Sequence, residues 1–314
     1  MNQDFYIVTG GAGFIGSSIV RNLVKKNFNV IVIDNLSTGK LENLKEVKNR
    51  IHFFESDICE DLSFLKNYKS IKAVFHLAAL PSVAYSVENP VETNHINLFG
   101  TLNILEYARH NNIKKFIFSA SSAAYGNSDV LPNVETAVSD PQSPYAVQKV
   151  SSEYYVKLYS QLYGIDTVCL RYFNVFGPGQ NPESEYAAVI PKFILKSLNN
   201  EVLTVFGDGN QTRDFIFVED VANANIRCLE YKTSGETINI ATGKSINLNE
   251  LIKKISIILN KKLNVNYSEA RSGDVIHSAA SIKKAFDIIQ FKPDYSLDKA
   301  LEETIRWFKT NENI

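Results

Sequence analysis

The chain has 314 residues, of which 45% are hydrophobic, and its 33 basic and 34 acidic side chains leave a formal net charge of −1. That is enough for about two domains, or one large α/β unit with an appendage. It excludes disorder and any global basic field for nucleic acid or an anionic membrane. The three cysteines, Cys59, Cys169 and Cys228, are odd in number and form no CxxC pair. They read as free thiols in a reducing compartment, with no disulfide framework and no metal site.

In chain order, Phe5–Val8 predicts a strand within a few residues of the start, with no signal-peptide pattern before it. A glycine turn follows at Gly10, Gly13 and Gly16, and Ser17–Lys26 reads as a helix. Further apolar runs at 30–33, 51–54, 73–75, 116–118 and 167–170 alternate with long amphipathic stretches, among them Val91–His110 and Pro144–Tyr163. Continuous apolar strands alternating with helices predict a doubly wound parallel sheet of Rossmann type, covered on both faces. The rhythm then changes. Residues 177–182 form a loop, Val189–Asn199 a helix, Val202–Phe206 a strand and 207–210 a turn, with helices at Asn247–Leu259, Ser281–Ile289 and Leu297–Lys309. These divide the chain into a Rossmann domain over 1–173 and a smaller α/β substrate domain over 174–314. Phe215–Val218 and Thr237–Ile240 are candidates to return to the main sheet. No segment approaches about 18 consecutive apolar residues, and a soluble, cytoplasmic protein is expected.

The strand–glycine turn–helix at Tyr6–Lys26 suits a pyrophosphate. Glycine lets the backbone approach it, and the helix N-terminus adds partial positive charge. Asp34 ends the second strand about 20 residues later, where a carboxylate accepts hydrogen bonds from ribose hydroxyls and repels a 2′-phosphate. No arginine follows within 35–40, so NAD is favoured over NADP. Tyr145 and Lys149 stand four apart in a predicted helix and share a face. A nearby ammonium and a positive nicotinamide ring are expected to lower the phenol's pKa, making Tyr145 a base near neutral pH, with Ser121 bridging it to a substrate hydroxyl. Taken singly, each feature also fits a plain Gly-rich βα turn, a turn-forming aspartate or a surface Tyr/Lys pair. Their order and spacing point to redox chemistry at a sugar hydroxyl.

The runs GGAGFIG from Gly10, VIDNLSTG from Val32, SDI from Ser56, HLAAL from His76, NLFGT from Asn97, SASSAAYG from Ser119, SPYAVQK from Ser143 and LRYFNVFG from Leu170 together resemble the extended short-chain dehydrogenase/reductase family. Within it, the run from Tyr186 to Lys192, Gly207–Gly209, Arg213–Phe215 and Arg271–Asp274 are similar to the UDP-sugar segments of nucleotide-sugar 4-epimerases. The resemblance implies catalysis by Ser121, Tyr145 and Lys149. It implies NAD contacts at Gly10, Gly13, Phe14, Ile15, Gly16, Asp34, Asn35, Ser37, Thr38, Gly39, Asp57, Ile58, Leu77, Ala78, Ala79, Asn97 and Phe173, besides Tyr145 and Lys149. UDP-sugar contacts are implied at Ser82, Ser121, Ser122, Tyr145, Asn174, Ala188, Val189, Thr204, Phe206, Arg213, Phe215, Arg271, Asp274 and Ser278. The two arginines would hold the diphosphate.

Family dehydratases and UDP-glucuronate decarboxylases carry an acidic residue two before the tyrosine of the Tyr-Gly pair. Ala123 stands there in this chain and exchanges no proton. The expected reaction is therefore NAD-dependent 4-epimerisation of a UDP-sugar through a transient 4-keto sugar. In the epimerase group a bulky residue at the position of Ser278 is held to exclude N-acetyl sugars. Serine leaves that volume open, which favours UDP-N-acetylglucosamine/UDP-N-acetylgalactosamine, with UDP-glucose/UDP-galactose as a second pair. Open alternatives are a reductase or dehydrogenase with net redox change, a UDP-glucuronate 4-epimerase, and a non-catalytic NAD-sensing scaffold. The resemblance also implies a homodimer in which Val91–His110 and Pro144–Tyr163 pair with the same helices of a second copy.

Overall fold

A computed structural model describes residues 4–128, 130–182, 188–270 and 276–311. Its first part runs β1 (Phe5–Thr9), α1 (Phe14–Lys25), β2 (Asn29–Asp34), β3 (Ile51–Glu55), β4 (Ile71–His76), α2 (Val83–Glu88), α3 (Pro90–Asn94), a π turn (His95–Phe99), α4 (Gly100–His110), β5 (Lys115–Ser121), α5 (Pro144–Tyr163) and β6 (Asp166–Tyr172). The rest comprises β7 (Asn174–Phe176), α6 (Val189–Leu198), β8 (Leu203–Phe206), β9 (Thr212–Arg213), β10 (Phe215–Phe217), α7 (Val218–Arg227), β11 (Glu236–Ile240), β12 (Ile246–Asn247), α8 (Leu248–Leu259), β13 (Val265–Ser268), α9 (Lys283–Ile289) and α10 (Leu297–Thr310).

Seven strands form one parallel sheet in the order β11-β6-β5-β4-β1-β2-β3. Their near-continuous Val, Ile and Phe content follows from burial on both faces. On one face Val8, Val32 and Phe75 pack with Ile19, Val20 and Leu23 of α1 and Val221 of α7. On the other, Ile7, Val74, Phe116 and Phe118 pack with Ile104 and Leu105 of α4 and Val156 of α5. A third core, around Phe193, Ile194, Leu251, Ile255, Leu301 and Phe308, belongs to α6, α8 and α10 with their short strands. Strand order reverses between β1 and β4, so the crevice beyond their C-terminal ends is the topological switch point where such sheets take ligands.

α5 starts and stops as its sequence dictates. The Ser143 hydroxyl accepts from the Ala146 N–H at 3.2 Å, Pro144 occupies the first turn, and Gly164 ends the helix in left-handed backbone at φ 68°.

Three expectations change. Val91–His110 is helical throughout but not uniformly α: α3 passes through the π turn into α4 where buried Asn97 donates its amide to the Leu80 carbonyl and to Gln148. Thr237–Ile240, within β11, does pair with β6, whereas Phe215–Phe217 pairs with β7 in a separate two-stranded sheet. The helix predicted from Ser281 begins at Lys283. The sequence reading named neither α2 nor α7, nor β13, which pairs with β8. Among the described residues, no helix is long and apolar enough to cross a membrane.

Candidate active site

The glycine turn sits at the switch point. Gly10 has φ 66°, and a Cβ there would lie 2.7 Å from the Ala78 backbone nitrogen, so the turn rests directly on the loop after β4. A Cβ on Gly16 would lie 2.1 Å from the Gly10 carbonyl oxygen. α1 starts at Phe14 and Ile15 with Gly13 as N-cap, without a capping side chain or an acidic residue in its first turn. Its leading N–H groups and positive end therefore suit an anion.

Asp34, 7% exposed at the end of β2, accepts from the Ala12 N–H and the Leu36 N–H, each at 2.9 Å. One backbone donor on each oxygen fixes the carboxylate and leaves lone pairs for ribose hydroxyls. A Cβ on Gly39 would come within 2.8 Å of it, which explains glycine on the Ser37–Thr38–Gly39 loop. Asn35 donates to Asp57 at 2.8 Å, and Asp57 accepts from the Cys59 N–H beside buried Ile58. These residues fit a dinucleotide: a cradle without side chains for the pyrophosphate, and an oriented carboxylate for a ribose.

Beside the turn, the Thr9 hydroxyl accepts from the Leu77 and Ala78 N–H groups and bonds His76 Nδ1 at 2.7 Å. His76 Nε2 bonds the Thr101 hydroxyl at 3.0 Å, and that hydroxyl donates to the Asn97 carbonyl. Thr101 has one proton and gives it to Asn97, so Nε2 carries the imidazole hydrogen and Nδ1 accepts from Thr9. Burial pushes His76 down to about 3, and the nearby Lys149 charge adds to this. Asn97, 1% exposed, clamps both the N–H and the carbonyl of Leu80 and donates to Gln148 on α5. The Leu77–Ala79 wall is thereby tied to the helix carrying Tyr145 and Lys149. Sequence reasoning gave no role to His76, Thr101 and Gln148, although each lies in a quoted run (HLAAL, NLFGT and SPYAVQK), because their partners meet only across the fold.

Tyr145 and Lys149 are buried one turn apart on α5. The Lys149 ammonium donates to the Ser119 carbonyl at 2.8 Å and lies 4.9 Å from the Phe118 ring centroid and 5.9 Å from that of Tyr145. Burial lowers its pKa to about 8, with Glu153 one turn later opposing. Tyr145 stands under two opposing influences. Burial pushes its phenol above the ordinary value, and the Ser121 hydroxyl, within hydrogen-bonding reach, is the group that pulls it down. The Lys149 ammonium, with one of its three N–H groups given to Ser119, keeps its other two donors. Ser121 also caps the turn of Ser122–Tyr125, accepting from the Ala123 N–H at 3.1 Å. Only a methyl group stands at Ala123.

The implied substrate residues are spread over several elements. Val189, Thr204, Phe206 and Arg213 line a cavity of about 490 Å³ with Lys192, Phe193, Gln211 and Leu248. Lys192 was within reach of sequence reading, since it closes the run that begins at Tyr186. Asn174 donates to the Asp214 carbonyl beside Arg213, and Ala188 is exposed at the N-cap of α6. Ser82 caps α2 with its hydroxyl oxygen. Ser278 is half-buried, and its N–H donates to the Thr212 carbonyl at 3.1 Å. Two residues turn inward instead. Phe215, 6% exposed, packs on Phe176, and the ring of Phe173, which is an implied NAD contact, is 2% exposed and packs with Tyr125, Ala241 and Ala280. Both rings support the walls from behind. Arg271 and Asp274 lie outside the described residues.

The model of the NAD dependent epimerase/dehydratase family matches residues 6–241. The chain is similar to the solved UDP-N-acetylglucosamine 4-epimerase of Methanobrevibacter ruminantium, in complex with UDP-N-acetylmuramic acid, at 45% identity and TM-score 0.94 over 99% of both chains. It is similar to the UDP-glucose 4-epimerase of Thermotoga maritima with UDP-glucose, at 37% identity and TM-score 0.93 over 98% of this chain and 99% of the other. It is also similar to the UDP-glucuronic acid 4-epimerase of Bacillus cereus with UDP-glucuronic acid and NAD, at 32% identity and TM-score 0.89 over 98% and 99%. With a switch-point cradle, an oriented Asp34 and a buried Tyr145–Lys149 pair on one sheet, the chain belongs to the NAD-dependent epimerase/dehydratase family.

Proposed function

We propose that the protein is a UDP-sugar 4-epimerase that retains NAD and interconverts UDP-N-acetylglucosamine and UDP-N-acetylgalactosamine, with UDP-glucose and UDP-galactose as a second pair. The observation that carries this reading is the composition of the catalytic turn. Ser121 and Tyr145 are within reach of each other, while Ala123 supplies no acid or base for elimination or decarboxylation. Residues 1–173 take the cofactor and 174–314 the UDP-sugar. Gly10, Gly13, Phe14, Ile15 and Gly16 hold the pyrophosphate, Asp34 a ribose, and Leu77–Ala79 the nicotinamide side.

Bound NAD would supply a hydride acceptor that returns the hydride, and a positive ring beside the phenol. Tyr145 takes the proton of the sugar C4 hydroxyl, and Ser121 positions that hydroxyl. Arg213 holds the diphosphate while the 4-keto sugar presents its other face. Tyr145 then gives the proton back. Lys149 keeps a cation one helical turn from the phenol, and its burial excludes water. The same groups serve both half-reactions, so no net redox change occurs.

Ser278 carries the substrate choice, because its small side chain leaves room for an acetamido group. Ser278→Tyr is expected to abolish turnover of the acetylated sugar and spare UDP-glucose, and unchanged acetylated turnover would refute the pocket argument. The UDP-glucuronic acid 4-epimerase neighbour supports a uronate as the second reading. We place the enzyme in the cytoplasm as a homodimer. Val91 of α3, at 83% exposed, and Tyr154, Leu158 and Leu162 of α5, at 65%, 43% and 67%, offer an apolar face to a second copy.

The test is an NMR assay without added cofactor on UDP-glucose, UDP-N-acetylglucosamine and UDP-glucuronic acid. A C4 epimer formed without external NAD supports the proposal, and the fastest substrate ranks the three. No conversion of any of them, with stoichiometric NADH formed or consumed when cofactor is added, would replace it by the dehydrogenase or reductase reading.

A further inference from the structure

Asn239, the penultimate residue of β11, is 0% exposed and takes part in no step described above. Its Oδ1 accepts from the Tyr125 hydroxyl at 2.6 Å. Its Nδ2 donates to the Asn133 carbonyl at 3.1 Å and the Ser281 carbonyl at 3.4 Å, and its backbone N–H donates to Glu135 at 2.8 Å. One amide thus joins three segments that are distant in sequence.

Each segment leads to the sugar end of the site. Tyr125 closes the turn that Ser121 caps, and its ring lies 4.6 Å below the Arg171 guanidinium. Arg171 in turn makes a bidentate pair with Glu153 on α5, the helix of Tyr145 and Lys149. Asn133 brackets the strap carrying Ser278: its N–H donates to the Ala279 carbonyl at 2.8 Å, and its carbonyl accepts from the Ser281 N–H at 2.9 Å. Ala280 packs with Tyr125 and Phe173. At its other edge the strap pairs with Thr212, next to Arg213, through Ile276 and Ser278. The strap therefore spans from the diphosphate arginine to the catalytic turn, and Asn239 is its anchor on the main sheet.

We propose that Asn239, with Tyr125, is a positioning residue for substrate choice: it pins the 276–281 strap to the turn of Ser121 and so fixes the wall that Ser278 presents to the sugar. This rests on the UDP-sugar reading above. A buried amide satisfied on both ends holds such a wall in one place, and removing one partner leaves the others buried and unpaired. Neither side chain bonds the Gly10 turn, Asp34 or the Leu77–Ala79 wall, so the expected effect is on sugar choice, with Phe173 beside Tyr125 as the contact toward the cofactor.

The test compares Tyr125→Phe and Asn239→Ala with the wild type in bound NAD, thermal unfolding, and kcat and KM for UDP-N-acetylglucosamine and UDP-glucose. Bound NAD is expected to stay stoichiometric. In Asn239→Ala, which removes three side-chain hydrogen bonds, kcat/KM for the acetylated sugar should fall about tenfold or more relative to UDP-glucose. Tyr125→Phe keeps the ring and removes only one donor, so it should shift the ratio in the same direction by about threefold. An unchanged ratio in the folded Tyr125→Phe variant would overturn the proposal, as would an equal loss on both sugars. If Asn239→Ala does not fold, Tyr125→Phe alone decides. A wild type that binds NAD but epimerises neither sugar would refute the function reading, and this inference with it.

Discussion

The two ends of the site are built from different material. The dinucleotide end is made of backbone and small residues: Gly10 rests on Ala78, Gly39 on Asp34, and the Thr9 hydroxyl serves two N–H groups. The end proposed to take the nucleotide sugar is lined by long side chains, Arg213, Lys192 and Phe206 among them, around an open cavity of about 490 Å³. A backbone cradle tolerates almost no added atom, so damage to it removes the cofactor. A side-chain cavity can give way gradually, so damage to it is expected to appear in KM. Tyr145 and Lys149 stand between the two, on a helix tied to the first through Asn97 and Gln148.

The largest effect is expected at the reacting group that stands between the two ends. Tyr145→Phe should lower kcat by about 10²–10⁴-fold, the range of a general acid–base group, while bound NAD and the KM for UDP-sugar stay near wild type. Turnover near wild type would take the proton-transfer role away from Tyr145. A large loss of NAD would show that the phenol belongs to the dinucleotide end after all.

Gly10→Ala tests the cradle itself. The new Cβ meets backbone at 2.7 Å in left-handed geometry, and left-handed backbone with overpacking costs roughly 3 kcal/mol. NAD affinity should fall about a hundredfold, measured as cofactor released from the purified protein. Gly164→Ala is the control, at φ 68° with nothing within 4 Å. It should cost about 1 kcal/mol of stability and leave NAD in place. Equal NAD loss in both variants would mean that strain, not close approach, decides.

Arg213→Lys tests the other end. It keeps the charge and removes the guanidinium fork, so KM for UDP-sugar should rise about tenfold with a smaller change in kcat and unchanged NAD. A fall in bound NAD would erase the distinction between the two ends.

The same contrast explains what the sequence could disclose. The cradle was legible because its requirements are local: glycine where no Cβ fits, Asp34 at a strand end, Tyr145 and Lys149 one helical turn apart. The alternation of apolar strands and helices likewise announced the parallel sheet. The π turn at His95–Phe99 was not legible, because Asn97 reaches Leu80 and Gln148 across the fold and no helical periodicity records that. Phe215–Phe217 looked fit for the main sheet, since an apolar triplet does not name its partner, and it pairs with Asn174–Phe176. Asn239 and Tyr125 were missed for the same reason, their bond joining residues 114 apart in sequence. The activation of Tyr145 by Lys149 was a chemical inference from spacing. Spacing on a helix face did not disclose that the ammonium also donates to the Ser119 carbonyl.

A separate effect, on stability and not on turnover, isolates the wall beside the glycine turn. His76 is fully buried and its hydrogen bonds require the neutral imidazole, in agreement with a pKa pushed from 6.5 to about 3. The unfolded chain therefore binds a proton below about pH 6.5 that the folded chain refuses until near pH 3. The stabilisation from the neutral ring is complete above pH 6.5 and is lost as pH falls through that window, at up to about 1.4 kcal/mol per pH unit. His76→Asn keeps an acceptor for the Thr9 hydroxyl and removes the titrating ring. Its unfolding free energy between pH 4 and pH 6.5, measured by urea titration, should fall less steeply than that of the wild type, and the two curves should run parallel above pH 7. Parallel curves throughout would mean that protonation of His76 is not what loosens the wall. The loss of stability at acid pH would then belong to carboxylates elsewhere in the molecule.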